Sequence, residues 1–298
     1  MASFFDEIAR NNLKSILLML LFSLFFALVI YLFVIFMGGG LLAFILGMVF
    51  VICYAMFAYF AGDRVVLAVS RAQETDRSKY PQLYDVIEGL AAAIQVPMPK
   101  VYIINDPNPN AFATGASKKK ASVAVTTGLL SMMNRTELEG VLAHEMSHVQ
   151  DNDMKFMMIA IVYAGVIGLV AAFIRNMLWF GFGGNRRGNS GWIILIAIAV
   201  GILAPIFALL IRLAISRRRE YMADANGARL IRNPSALSSA LKRLLLYEKD
   251  PKSVPMAHAN EMTASLYFSS PFKKGNIMNL FSTHPPLQER IDKLEKMY

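Results

Sequence analysis

The stretch His144-Glu145-Met146-Ser147-His148 is the most informative part of this sequence, because it places two histidines four residues apart. Four residues make about one helical turn, so on a helix both imidazoles would face one side and could bind one metal ion. Thr136 and Glu139 have the spacing of a capping box and are predicted to begin such a helix. Apolar residues recur at helical spacing around the stretch: Leu138, Val141, Leu142 and Met146. We therefore predict a metal-binding helix with His144 and His148 as ligands.

Acidic residues complete the predicted site. Glu145 follows the first ligand directly and can accept a proton from a water molecule at the metal, as a general base does. The third ligand is expected in the segment Arg219-Glu220-Tyr221-Met222-Ala223-Asp224, where Glu220 is the best candidate. Asp224, one turn later, can accept a hydrogen bond from the free ring nitrogen of a ligand histidine. Taken alone, this pair of acids would equally suit a surface helix.

Four long apolar runs indicate a membrane protein. The chain of 298 residues is 56% hydrophobic and 17% charged, whereas soluble domains are about 45–50% apolar and about 25% charged. The uncharged runs cover residues 16–36, 41–61, 156–174 and 192–211. About 20 helical residues cross a hydrocarbon core of about 30 Å. We predict four transmembrane helices, the last interrupted by Gly201 and Pro205.

These runs divide the chain into four parts. Residues 1–62 form an anchor of two transmembrane helices, and residues 63–155 form the first half of the soluble domain with the metal-binding helix. Residues 156–215 form a second transmembrane hairpin, and residues 216–298 form the second half of the soluble domain with the third ligand. A hairpin returns the chain to the membrane face where it started. It can therefore bring Glu220 near His148, although 72 positions separate them.

Basic residues predict the orientation and argue against a nucleic-acid partner. The net charge is +9, but most of the charge lies at the ends of the apolar runs, as expected for contact with the lipid bilayer. Three basic residues flank the spans on one side: Arg175, Arg186 and Arg187. Eleven flank them on the other: Arg10, Lys14, Arg64, Arg71, Arg77, Lys79, Lys155, Arg212, Arg217, Arg218 and Arg219. Because positive charge accumulates inside, both soluble segments are predicted to face the cytoplasm.

The first soluble segment is predicted to combine helices with a small sheet. Ser78 is a candidate helix cap, followed by an apolar face of Leu83, Val86, Ile87, Leu90 and Ala91. Strands are predicted at residues 101–104, 111–114 and 122–127. The predicted fold class is an α+β membrane protein with four transmembrane helices and a cytoplasmic domain that contains a small β-sheet.

The motifs resemble the HtpX group of the M48 membrane metalloproteases along essentially the whole chain. The resemblance rests on the order of two spans, the stretch from Asn110 to Gly115, the helix with His144 and His148, two more spans, and the Glu-x-x-x-Asp helix. It ends with the segment Thr283-His284-Pro285-Pro286. The metal and base positions show no departure. The related CAAX-type endopeptidases have more than the four spans predicted here, so a prenyl-peptide substrate is not carried over.

This resemblance implies a gluzincin-like fold, one zinc ion per subunit and a place in the bacterial inner membrane. The implied activity is endoproteolysis of misfolded or damaged membrane proteins, whereas the oligomeric state stays open. His284 and Arg290 match a family pattern beside the substrate and would stabilise the oxyanion of the tetrahedral intermediate. By analogy with zincins in general, residues 123–127 are the candidate edge strand for an extended substrate.

Three other classes of protein fit the sequence less well. An intramembrane protease of the site-2 type would bury the motif in a span, but charged residues flank it here: Arg135, Glu137, Glu139, Asp151 and Asp153. A purely structural zinc site is usually closed by a fourth protein ligand and has no use for Glu145. A transporter would place polar groups inside its spans, and the four runs contain almost none.

Overall fold

The computed structural model describes residues 40–151, 154, 217–257, 266–269 and 285–297, together with isolated positions between residues 13 and 31. Its sheet has four strands in the order β1-β2-β4-β3. The strands are β1 (Gln73–Glu74), β2 (Lys100–Ile104), β3 (Ala111–Thr114) and β4 (Ser122–Thr126). β2 and β4 run parallel, whereas β1 and β3 pair antiparallel to their neighbours. The predicted combination of helices with a small sheet is confirmed.

Seven α-helices lie in the described residues. They are α1 (Leu41–Val69), α2 (Pro81–Ala93), α3 (Thr127–Met132), α4 (Arg135–Asp151), α5 (Arg217–Leu230), α6 (Pro234–Lys249) and α7 (Leu287–Glu295). The predicted apolar face of α2 is buried in full. Helix α4 packs against α5 and α6, and also contacts α2 and β3. The helix with both histidines therefore lies at the centre of the domain.

The position of β4 differs from the prediction. Residues 123–127 were expected to form an edge strand, but β4 pairs with β2 on one side and with β3 on the other. All five of its residues are buried, so this expectation is wrong. A strand with two paired neighbours has no free backbone groups for a further strand. Among the described strands, β3 is the edge next to α4.

Two predicted helix caps also differ from the structure. Helix α4 begins at Arg135, and its cap is Asn134 with Glu137 instead of the predicted Thr136 with Glu139. The Asn134 side chain accepts from the Glu137 N–H at 2.9 Å, and Glu137 Oε2 accepts from the Asn134 N–H at 3.1 Å. This is a capping box shifted by two residues. Ser78 caps no helix, because α2 begins at Pro81.

Helix α1 covers the second predicted span and leaves one broad apolar side exposed. Its most exposed residues include Leu41, Leu42, Leu46, Phe50 and Phe60. Within the described residues no single helix is long and apolar enough to cross a bilayer. Phe44–Tyr54 and Met56–Val69, which meet at a bend of 45°, reach that length and composition only as a pair. The predicted hairpin at residues 156–215 lies outside the described residues, and only isolated positions of residues 16–36 are described.

Candidate metal centre

Three buried side chains converge between α4 and α5: His144 and His148 from α4, and Glu220 from α5. His144 Nε2 lies 3.7 Å from Glu220 Oε2, and His148 Nε2 lies 3.6 Å from Glu220 Oε1. Two metal–ligand bonds of about 2.1 Å at a tetrahedral angle separate their donor atoms by about 3.4 Å. The set of two imidazoles and one carboxylate therefore fits a zinc ion in both donor type and spacing.

Close packing of the two helices brings the ligands together. A Cβ atom on Gly227 of α5 would lie only 2.8 Å from the backbone nitrogen of His144. Any larger residue there would push α5 away from α4. The Ser147 hydroxyl also crosses the interface and donates to the Ala223 carbonyl at 3.1 Å. The approach at Gly227 thus sets the distance between the histidines and Glu220.

Asp224 fixes the tautomer of His144. Its Oδ1 lies 2.9 Å from His144 Nδ1, a contact with a carboxylate that requires a proton on that nitrogen. Nε2 then carries a lone pair and faces Glu220. Burial and the charge of Arg290 lower the pKa of His144 to about 4, which keeps the ring neutral at pH 7. Neutral imidazole is the form that binds metals.

Arg290 lies behind Asp224, with its side chain fully buried. Its Nε and Nη2 donate to the two Asp224 oxygens at 2.9 and 2.6 Å, and Nη1 donates to the Phe268 carbonyl at 3.1 Å. Burial alone would raise the pKa of Asp224, but the Arg290 charge and the contact with His144 lower it. This placement differs from the predicted contact with a substrate oxyanion, which stays a prediction. His284 lies outside the described residues, so its role also stays a prediction.

Glu145 faces the same cavity as the three ligands. Its Oε2 accepts a hydrogen bond from the backbone N–H of Ala113 in β3 at 2.9 Å. Burial raises the pKa of Glu145 to about 8. A bound cation nearby would favour the charged form and lower this pKa again. The Ala113 contact could not be predicted from the sequence, because a backbone donor leaves no residue pattern.

The cavity at the three ligands is narrow, with room for about one water molecule. The segment Leu266–Ser269 contributes three of its lining residues, Leu266, Tyr267 and Phe268. Sequence reasoning missed this segment entirely. Apart from Arg290, its described partners lie more than 100 residues away along the chain, and no spacing within it points to a metal site.

Comparisons with known proteins agree with this geometry. Residues 77–298 match the model of peptidase family M48. The chain is 43% identical over 294 residues to a protein named Protease HtpX homolog from Caldanaerobacter subterraneus subsp. tengcongensis, covering 97% of this chain and 96% of the relative. A Protease HtpX homolog from Streptococcus thermophilus is also 43% identical, over 304 residues, covering 98% of this chain and 99% of the relative.

A solved structure shares the fold. The crystal structure of S. mikatae Ste24p matches with a TM-score of 0.50 at 21% sequence identity. The match covers 90% of this chain but only 62% of that longer chain. The family model spans most of the described domain, and the relatives are matched along nearly their full length. This chain is an HtpX-type metalloprotease and belongs to peptidase family M48.

Proposed function

We propose that this chain is a zinc-dependent endopeptidase of the bacterial inner membrane that cleaves misfolded or damaged membrane proteins. One observation carries the proposal: His144, His148 and Glu220 meet in a buried cluster with Glu145 facing the same cavity. Three protein ligands leave one position of a tetrahedral zinc ion open, as in catalytic rather than structural sites.

The residues divide the chemistry among them. When bound, zinc would act as a Lewis acid that lowers the pKa of a water molecule toward about 7 and polarises the peptide carbonyl. Glu145 accepts a proton from the attacking water and returns it to the leaving amine. The Ala113 N–H holds Oε2 of Glu145, so we assign the proton transfer to Oε1. Asp224 and Arg290 keep Nε2 of His144 directed at the metal position.

The membrane location rests on the exposed side of α1. A contiguous exposed apolar side such as this one is typical of contact with lipid or with another protein. The distribution of basic residues supports a metal centre on the cytoplasmic side. A site at this face can receive segments of membrane proteins that have lost their native packing, which is the basis for the proposed substrate class.

The test uses the full-length protein purified in detergent. Wild type and Glu145→Gln are each incubated with a denatured membrane protein, after removal of metal by a chelator and after addition of zinc. Cleavage should require both zinc and Glu145. Cleavage that persists in the chelated protein would contradict the assignment of a metalloprotease, and intact substrate under all conditions would contradict the proposed substrate class.

A further inference from the structure

The segment Leu266–Ser269, termed here the plug, is a bent segment beside the metal centre, and one backbone hydrogen bond joins it to the edge strand β3. Its four residues are each 5% exposed or less. The Phe268 backbone N–H donates to the Ala111 carbonyl at 2.8 Å. An extended peptide that adds to the edge of a sheet makes this type of backbone hydrogen bond. The plug therefore uses an edge position that a bound polypeptide would use.

Polar groups of the domain bind the plug through its backbone. The Asn110 side chain pairs with Ser269 in both directions: Nδ2 donates to the Ser269 carbonyl at 3.0 Å, and Oδ1 accepts from the Ser269 N–H at 3.1 Å. Arg290 Nη1 donates to the Phe268 carbonyl at 3.1 Å. Together with the bond to Ala111, four successive backbone groups of the plug have partners. Backbone contacts do not depend on side chains, so another peptide could replace the plug.

The plug side chains block access to the ligands. The Phe268 ring packs edge-on against the His144 ring, with centroids 5.0 Å apart, and the Tyr267 ring packs against Phe112 at 5.3 Å. The remaining cavity holds about one water molecule. A peptide bond cannot approach His144 and Glu145 while these rings are in place.

We propose that the plug is an internal pseudosubstrate, which occupies the peptide-binding edge of β3 and must be displaced before a substrate binds. This inference rests on the proposed peptidase function. The Tyr267 hydroxyl and the Ser70 Oγ form a buried hydrogen bond of 3.2 Å. Ser70 directly follows α1, the helix with the exposed apolar side. The contact thus joins the plug to the end of the helix assigned to the membrane.

Removal of this contact should release the plug without altering the metal centre. In Tyr267→Phe the ring remains but the hydrogen bond to Ser70 is lost. A net hydrogen bond of this kind changes an equilibrium by about 2- to 10-fold. Because a substrate binds only the open state, the apparent affinity scales with the open fraction. We expect KM for an internally quenched peptide to fall by about 2- to 10-fold, with kcat unchanged.

Tyr102→Phe is the matched control. It removes the same hydroxyl from a tyrosine on β2, where the partner is the surface residue Glu74 at 3.3 Å. Its KM should equal that of the wild type. If the wild type and Tyr267→Phe both cleave the peptide with equal KM values, the proposal that the plug must be displaced before a substrate binds is wrong.

A second measurement keeps the plug testable without cleavage. A cysteine at position 266, in a background with Cys53→Ser, is labelled with a small maleimide in detergent. We expect Tyr267→Phe to speed this labelling about 2- to 10-fold, also in the inactive Glu145→Gln protein. An unchanged labelling rate would contradict the proposal that the bond between Tyr267 and Ser70 holds the plug in place. If no variant cleaves the peptide but Tyr267→Phe is labelled faster, the result would contradict the proposed function and still support a plug that can be displaced.

Discussion

Replacement of Asp224 with asparagine keeps the shape of the side chain but removes the negative charge between His144 and Arg290. The wild-type carboxylate accepts from His144 Nδ1 at 2.9 Å and from Arg290 Nε and Nη2 at 2.9 and 2.6 Å. Asparagine offers one acceptor oxygen in place of two, and its NH2 group would face a donor group of His144 or Arg290. Loss of such a partner weakens metal binding by about 10- to 100-fold, or about 1.4–2.7 kcal/mol. We expect this loss in a zinc competition assay with a chelator.

The single variant also destabilises the fold, because the Arg290 charge remains buried without its counter-ion. Breaking a buried pair in this way lowers the free energy of unfolding by about 3–5 kcal/mol. The double variant Asp224→Asn/Arg290→Met removes both charges and should regain most of the thermal stability. It should still bind zinc more weakly than the wild type, because an asparagine oxygen accepts from His144 without the negative charge of the carboxylate. Wild-type zinc affinity in the double variant would refute a role of the Asp224 charge in metal binding through His144.

Further predictions concern the base, the third ligand and the orientation. Glu145→Gln should retain zinc by metal analysis and lose about 10²–10⁴ in cleavage rate, because an amide cannot accept the proton. Glu220→Ala should lose most of its zinc on dialysis, and full retention would place the third ligand elsewhere. With Cys53 replaced by serine, a cysteine at Ser117 should resist an impermeant thiol reagent in intact cells, whereas one at Asn189 should react. The reverse labelling pattern would overturn the predicted topology.

Local periodicity explains which parts of the fold could be predicted from the sequence. Strands predicted at residues 101–104 and 111–114 agree with β2 and β3 to within one residue. His144 and His148 share a helical face because of their spacing alone. Glu220 required a topological argument, that a membrane hairpin returns the chain to its starting face. The structure brings Glu220 between the two histidines, although the hairpin itself lies outside the described residues.

Features that depend on pairing between distant segments could not be predicted. Arg290 and Asp224 are 66 residues apart, and no sequence pattern near either residue points to the other. The match of His284 and Arg290 to a family pattern instead implies a place beside the substrate. The central position of β4 did have a signal: Ser122–Thr126 is a run of small and apolar residues without strongly polar ones, as is common in strands with both faces buried. This composition argues against an edge strand.

The division of the ligand set between α4 and α5 has a consequence during synthesis of the chain. His144 and His148 leave the ribosome long before Glu220, Asp224 and Arg290 exist. At about 5–20 residues per second, the 72 positions from His148 to Glu220 take roughly 4–14 s to translate. The nascent protein carries two histidines but no complete zinc site for that period. A peptidase assembled in this order has no complete ligand set until about three quarters of its sequence has been made, so the shorter nascent chain has no metal centre with which to cut itself.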